Sequence, residues 1–428
     1  MTTTAPKPTR SANTATNGNA LWSGQAHMPS VIGTQLEIVR GEGAYVFTSA
    51  GQKLLDGTAG LWHTNIGHGR TELAEAAHRQ MMTLSTYHTF GRFLNNRAVE
   101  LAERVVGLAP FADAKVIFGS GGSDGIDAAC KLARRHFQVQ GKTEKTFILS
   151  RTHSYHGLHG YGTSIAGLQP NRDGYGTESL IPETARIATN DLAQVEATIH
   201  EIGAHRIAAI VAEPVIGTGG VIPPAPGYLE GLRALTRAHD ILLIADEVIT
   251  GFGRTGRMFA SDRYNIDPDM LVMAKGITSG YAPLGGVLVS PVVWSAFYDG
   301  PDAPTFRHGL TYAGHATSAA VALANIDILE NEGLLARVQD LESVLTTALD
   351  GLGTIDAVVD VRVAGLLGAV ELADGVDVDR VVQSVLDNGV ISRNLRGHSV
   401  QISPPFIVTD AELIGMVDTI AAAISDAT

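Results

Sequence analysis

Two apolar runs near the middle of the chain each end on a charge. Ile241-Leu242-Leu243-Ile244-Ala245 runs into Asp246, and Met270-Leu271-Val272-Met273-Ala274 runs into Lys275. Runs of this length, bounded by turn residues, predict strands buried on both faces. They belong to a longer alternation. Strands are predicted over 115–118, 146–150, 207–213, 241–246, 270–274 and 286–290, interleaved with helical patterns over 96–108, 124–140, 192–202 and 228–239. Such alternation predicts an α/β fold with a mainly parallel sheet covered on both faces. Ahead of it, 21–60 mixes short β-like pieces, 32–39 and 44–48, with glycine punctuation. Beyond about residue 315 the pattern changes to a helical stretch over 318–349, broken near Asn331-Glu332-Gly333, then a strand over 364–372 and a helix over 378–388. Thr409-Asp410-Ala411-Glu412 fits a capping box opening a last helix. The expected organisation is a flexible tail (1–20), an N-terminal segment joining the small domain (21–60), a large domain (61–314) and a smaller α+β domain (315–428).

Composition narrows the function classes. The 428 residues are 45% apolar and 18% charged, with a net charge of −13. That balance argues against nucleic acid as a partner, which a basic patch would favour. No window reaches the roughly 18 consecutive apolar residues of a membrane span. Residues 1–20 lack the apolar region of a signal peptide and read as a mobile tail. The lone Cys130 excludes an intrachain disulfide framework. The simplest compartment is the cytoplasm.

In a parallel sheet, Asp246 and Lys275 both sit at carboxyl ends, where ligands of open α/β sheets bind. A carboxylate against a ring nitrogen and a lysine in Schiff-base linkage are what pyridoxal phosphate chemistry needs. Glu247 competes with Asp246 for the carboxylate role. Strand alternation favours Asp246, because it shares a side with Val248 and Glu247 points away. Lys275 follows five apolar residues, and desolvation there lowers its pKa and makes it a usable nucleophile and proton shuttle. Phe118-Gly119-Ser120-Gly121-Gly122-Ser123 joins a strand to a helix. Glycines and a helix N-terminus offer N–H groups to a phosphate, although a plain glycine-rich turn reads the same way. Tyr155-His156, after another strand end, places an aromatic ring for stacking or simply in the core.

Gly251-Phe252-Gly253-Arg254-Thr255-Gly256 formally satisfies a dinucleotide fingerprint. Polar residues separate it from its strand, and a poor helical pattern follows, so a nicotinamide oxidoreductase is a weak alternative.

Taken in order, these segments resemble the class III, subgroup II aminotransferases, pyridoxal phosphate enzymes of fold type I. The resemblance runs from Gly60-Leu61-Trp62 through Ser154-Tyr155-His156-Gly157, Glu213-Pro214-Val215, the Asp246–Gly256 block, Ala274-Lys275-Gly276 and Pro283-Leu284-Gly285-Gly286 to Thr311-Tyr312-Ala313-Gly314-His315. It implies that Lys275 holds the cofactor and moves protons, that Asp246 binds the pyridine nitrogen, and that Tyr155 and Val248 sandwich the ring. His156 and Glu213 fall among the cofactor-binding positions, and Gly122 and Ser123 hold the phosphate. Thr311 matches a threonine that reaches the phosphate of a neighbouring subunit, which implies a homodimer with shared active sites, open to pairing into tetramers. The reaction so read needs no metal. Asp124 and Gly125 depart from the usual phosphate segment, and Ala316 stands where proline is usual.

The substrate reading rests on the same resemblance. Glu213-Pro214-Val215-Ile216-Gly217 is followed by Thr218, not by the glutamate that gates the α-carboxylate in relatives acting on ornithine or 4-aminobutyrate. The segment is more similar to the ω-amino acid:pyruvate and amine:pyruvate branch, with a 6-aminohexanoate aminotransferase-like type as one candidate within it. There Trp62 and Phe90 match pocket-lining positions, and Arg393 or Arg396 matches a carboxylate-binding arginine. The implied activity moves the amino group of an ω-amino acid or amine (β-alanine, 4-aminobutyrate, 6-aminohexanoate) to a keto acid such as pyruvate by ping-pong transfer. Epimerases, aminomutases and decarboxylases of the same fold remain alternatives.

Overall fold

The computed structural model describes residues 20–176 and 180–428. The tail expected over 1–20 therefore lies outside the described residues except for its last position. Three sheets organise the chain. The N-terminal strands β1 (Ile38–Glu42), β2 (Tyr45–Thr48) and β3 (Lys53–Asp56) form an antiparallel meander. Next in the chain come β4 (Lys115–Gly119), β5 (Phe147–Arg151), β6 (Thr184–Ile187), β7 (Ile207–Ala212), β8 (Leu242–Asp246), β9 (Met270–Met273) and β10 (Gly285–Val289). These seven make one sheet in the order β4-β10-β9-β8-β7-β5-β6. The C-terminal strands are β11 (Val358–Val363), β12 (Gly368–Leu372), β13 (Val390–Ile391), β14 (Asn394–Leu395) and β15 (Ser399–Ile402). Of these, β13 pairs in parallel with β3, so the N-terminal meander is stitched to the C-terminal part of the chain.

The large sheet is parallel except for β10, which runs antiparallel to both neighbours. The cause lies in the connection. Residues 274–284 between β9 and β10 hold no α-helix, only the 3₁₀ turn Lys275–Ile277. A parallel return needs a crossover of a dozen or more residues, normally helical.

Both faces of the sheet are covered. The helix Gly122–Val139 presses Ile126, Ala129, Ala133 and Phe137 onto one face, against Val272 and Val287. The helices Leu192–Ile202 and Tyr228–Ala238 cover the other with Val195, Ile199, Leu229 and Leu232, against Leu149 and Ile210. A third core joins Leu271, Met273 and Leu288 to the C-terminal sheet and its helices.

Several sequence expectations shift. The β-like piece over 32–39 is a turn following the short helix Met28–Val31, and strand begins only at Ile38. Of the strand expected over 364–372, 368–372 forms β12 and the preceding residues form the turn from β11, where Gly365 takes φ +63° and reverses the chain. The helical break falls at Gly333, in the left-handed region at φ +65°, between helices Ala316–Asn331 and Leu334–Asp350. The capping box forms: Thr409 Oγ1 accepts the Glu412 N–H at 3.1 Å, and the Glu412 carboxylate accepts the Thr409 N–H at 2.8 Å. Among the described residues, no helix is long and apolar enough to cross a membrane.

The dinucleotide-like glycines open no helix. Phe252 (φ +58°), Gly253 (φ +101°) and Gly256 (φ +76°) wind a turn that carries Arg254 into the core. There Arg254 donates to Pro404 O at 2.6 Å and to Asn65 Oδ1 at 2.7 Å. A phosphate site on that motif needs a helix N-terminus aimed at the ligand, and a buried guanidinium holding the C-terminal loop stands in its place.

Candidate active site

Asp246 ends β8, and Lys275 follows β9 after a single residue. The two strands are parallel neighbours, with Asp246 opposite Val272. Both charges therefore emerge at one carboxyl edge. The backbone at Lys275 takes φ +49°, a left-handed conformation costing a non-glycine residue about 1–2 kcal/mol. Such strain persists where its surroundings over-determine it, often at functional sites.

A cavity of about 440 Å³ opens at this edge. Lys275, Asp246, Tyr155, His156, Glu213, Val248, Gly122 and Ser123 all line it. Burial pulls the Lys275 ammonium from 10.5 down to about 8, against the opposing pull of Asp246 and Glu213. Asp246 Oδ2 lies 2.7 Å from His156 Nδ1, and its Oδ1 accepts the Val248 N–H at 3.1 Å. Glu213 is fully buried, accepting N–H bonds from Tyr155 at 3.0 Å and Gly217 at 2.9 Å. Burial pushes its carboxyl up, opposed by His156.

The two adjacent acids differ in their contacts. Glu247 points away from the cavity and accepts bonds from Thr250 Oγ1 (2.6 Å), the Ala260 N–H (2.8 Å), and the N–H (2.6 Å) and hydroxyl (2.7 Å) of Ser261. Its oxygens are spent on holding the following loop.

At the other end of the cavity, the helix Gly122–Val139 begins without a side-chain cap. Ser123 Oγ accepts the Leu158 N–H at 3.3 Å, and a Cβ at Gly157 would sit 2.2 Å from that hydroxyl. A Cβ at Gly122 would come within 2.9 Å of Val248. Asp124, the departure from the usual phosphate segment, turns its carboxylate to the Ser120 N–H at 2.7 Å.

Trp62 is buried, φ +61°, with its indole N–H unpaired. Lys275 Nζ lies 5.8 Å from its ring centre and the Arg393 guanidinium 4.9 Å from it. One Arg393 nitrogen is buried without a partner, and burial lowers the guanidinium pKa. Arg396 instead donates to Gly219 O at 3.0 Å. Both arginines flank a neighbouring cavity, and neither they nor Trp62 line the main one.

Phe90 and Thr311 lie elsewhere. Phe90 is 47% exposed, with its ring against Gly309, and Thr311 sits in an exposed turn. Within one chain neither reaches the cavity. Sequence reasoning missed His63 and Thr278, which line it. His63 packs so tightly that a Cβ at Gly280 would meet its ring at 2.3 Å, and burial lowers its pKa. Its one sequence signal is adjacency to Trp62.

A phosphorylated pyridine aldehyde fits these residues. A buried amine that is partly neutral near pH 8, a buried carboxylate and an uncapped helix N-terminus face one cavity. The unpaired, buried His156 Nε2 leaves the imidazole free to carry its Nδ1 proton toward Asp246.

A predominantly parallel seven-stranded sheet with one reversed strand, and a lysine at the carboxyl edge, defines a fold type I pyridoxal phosphate enzyme. The aminotransferase class-III family model matches residues 28–424, and the chain belongs to that family. It is 35% identical to the putrescine–pyruvate aminotransferase of Pseudomonas aeruginosa, over 88% of this chain and 87% of the relative. It is 33% identical to the β-alanine–pyruvate aminotransferase of the same organism, over 91% of each. A solved (S)-enantioselective ω-transaminase from Thermomicrobium roseum superposes with a TM-score of 0.90 at 35% identity, over 95% of this chain and 96% of that one. The protein is thus a pyridoxal phosphate-dependent aminotransferase that passes amino groups to a keto acid.

Proposed function

We propose that the amino donor is an ω-amino acid or an amine, that the acceptor is pyruvate, and that both half-reactions run in the cavity at Lys275. Pyridoxal phosphate, when bound, supplies the electron sink that lets a proton leave the amine-bearing carbon. Lys275 anchors the cofactor, and its Nζ takes that proton in the first half-reaction. In the second it returns a proton to the carbon derived from the keto acid. Asp246 would hold the pyridine nitrogen and keep it protonated, and His156 orients Asp246. Tyr155 and Val248 would hold the ring, and Gly122 and Ser123 the phosphate. Glu213 fixes the Tyr155 backbone.

The observation that carries the donor reading is the position of Trp62 between two charges. Lys275 Nζ and the Arg393 guanidinium both lie against its ring, at 5.8 and 4.9 Å. A donor whose amine meets Lys275 can reach Arg393 with its far carboxylate, and an unpaired guanidinium binds a carboxylate bidentately. Arg396 spends part of its guanidinium on Gly219 O, so Arg393 is the carboxylate reader. The two relatives named above differ in donor and share pyruvate.

A homodimer supports the remaining assignments. Met81, Met82, Tyr87, Phe90, Phe93 and Leu94 are all exposed within one short stretch, and monomers rarely expose contiguous apolar patches beyond a few hundred Å². A second copy covering this stretch would bring Phe90 to its pocket and Thr311 to its phosphate site. The division into a large unit (61–314) and a smaller one (315–428, joined by 21–60) and a cytoplasmic location complete the reading.

The test is an absorption scan of the purified protein with β-alanine, 4-aminobutyrate, 6-aminohexanoate and putrescine, each followed by pyruvate. Loss of the visible band with a donor, its return with pyruvate, and matching alanine formation are expected. Conversion by none of these donors, or return with 2-oxoglutarate but not pyruvate, would overturn the substrate reading.

A further inference from the structure

The helices Leu192–Ile202 and Tyr228–Ala238 both cross over between parallel strands, so they run in the same direction on one face of the large sheet. They touch closely at Gly231, where a Cβ would fall 2.2 Å from Leu192 Cδ1. Eight residues on from that contact, in each helix, stand His200 and His239. Equal steps of about 12 Å along parallel helices bring the two imidazoles together, with ring centres 5.6 Å apart at 88°. Glu196, one turn before His200, brings its carboxylate to 4.0 Å from His200 Nε2. One donor atom from each of the three side chains lies within 4.8 Å of the other two.

The geometry points to a binding site for a divalent first-row transition cation, of which Zn²⁺ is the type, on Glu196, His200 and His239. Two imidazoles and one carboxylate are a donor set such ions accept, with bonds of about 2.0–2.2 Å and water completing the shell. Closing the donors onto one ion takes a movement of about 1 Å, within reach of side chains that are exposed or half-buried. The site also lies where a cation is favoured by the backbone. His200 is in the last turn of its helix and His239 caps the other, so two C-terminal ends with their partial negative charges converge there.

The site is separate from the catalytic cavity. Helices that return from carboxyl to amino edge end near the starts of β7 and β8, opposite the edge that carries Lys275. A bound ion would clip two crossover helices together and leave transamination untouched. Cys130 is buried and offers no competing thiolate.

Equilibrium dialysis of the untagged holoenzyme against Zn²⁺, with Mg²⁺ as control, tests this. One Zn²⁺ per chain is expected, with no comparable Mg²⁺ uptake and a rise in the unfolding temperature, since an ion that binds the folded state stabilises it. His200→Ala and His239→Ala should each weaken Zn²⁺ binding at least about tenfold at unchanged turnover, and Glu196→Gln should weaken it less. Binding to both histidine variants as tight as to the wild type would overturn the site, as would no Zn²⁺ on the wild type beyond what the cofactor itself takes up.

Discussion

His156 Nδ1 and Asp246 Oδ2 meet at 2.7 Å, both side chains buried at the edge of the cavity. The second imidazole nitrogen has no partner, so the ring's one polar contact is with Asp246. The other Asp246 oxygen accepts the Val248 N–H at 3.1 Å, so the carboxylate is held from both sides at the cavity wall. Asp246→Asn preserves the shape and removes the charge. Transamination should fall on the order of 10²–10³-fold, the usual size for losing a preorganised electrostatic contact. His156→Ala should cost less, because the carboxylate stays. Single-turnover rates with β-alanine, alongside cofactor content, check the order; equal losses would mean that His156 does more than orient.

In the proposed function Lys275 combines anchoring with proton transfer, so its removal should cost on the order of 10³-fold or more. Lys275→Ala should still take up cofactor noncovalently, because the uncapped helix and Asp246 remain. Borohydride reduction followed by mass spectrometry should attach the cofactor covalently to the wild type and not to the variant. Covalent attachment in the variant would mean that another lysine is the anchor.

The site was legible in the sequence as far as strand ends carry it. Asp246 and Lys275 could be placed because β8 and β9 are apolar throughout and end on their charges, and alternation separated Asp246 from Glu247. Three things were not legible. The reversal of β10 goes with a β9–β10 link that forms no crossover helix. The hairpin at Gly365 is hidden inside an apolar run. His63 is brought in by the left-handed turn at Trp62, which no local pattern announces. The cluster of Glu196, His200 and His239 was equally hidden, since one ligand is 39 positions from the next and the close approach at Gly231 is a tertiary fact.

The lowered pKa of Lys275 sets a pH dependence. Only the neutral amine attacks an aldehyde. With the pKa at about 8 instead of 10.5, reconstitution of the apoprotein should speed up roughly tenfold per pH unit below 8, then level off. Continued acceleration to pH 10 would mean a solvated lysine. The same shift carries a stability sign. A lysine whose folded pKa lies below its unfolded value penalises folding fully below about pH 8, and the penalty fades as pH rises toward 10.5. The apoprotein should therefore gain stability relative to Lys275→Met between pH 8 and 10, measured by thermal or denaturant unfolding.

Gly157 stands at φ +83° with Ser123 Oγ where its Cβ would be. Gly157→Ala meets both a strained backbone and a collision at 2.2 Å, so Ser123 must move off the helix start. The expected result is weaker cofactor retention, by about 10–100-fold in dissociation constant if roughly 1–3 kcal/mol of hydrogen bonding is lost. Fluorescence titration of the apoprotein reads it directly. Retention equal to wild type would separate Ser123 from the phosphate.

Arg393 and Arg396 differ in what their guanidiniums already hold, and substrate choice should follow that difference. Arg393 lies against Trp62 with a buried nitrogen unpaired, whereas Arg396 donates to Gly219 O at 3.0 Å. Charge-assisted hydrogen bonds contribute about 1.5–3 kcal/mol each. Arg393→Ala should therefore raise the KM for β-alanine by roughly 10–100-fold and leave kcat/KM for an uncharged-tailed amine such as 1-phenylethylamine within a few-fold. Arg396→Ala should spare both donors and lower stability slightly through the lost loop contact. Steady-state kinetics of the two variants with the two donors gives four ratios. A carboxylate-specific loss in Arg396→Ala, with Arg393→Ala unaffected, would reverse the assignment and move the donor's far end into the cavity that the two arginines share.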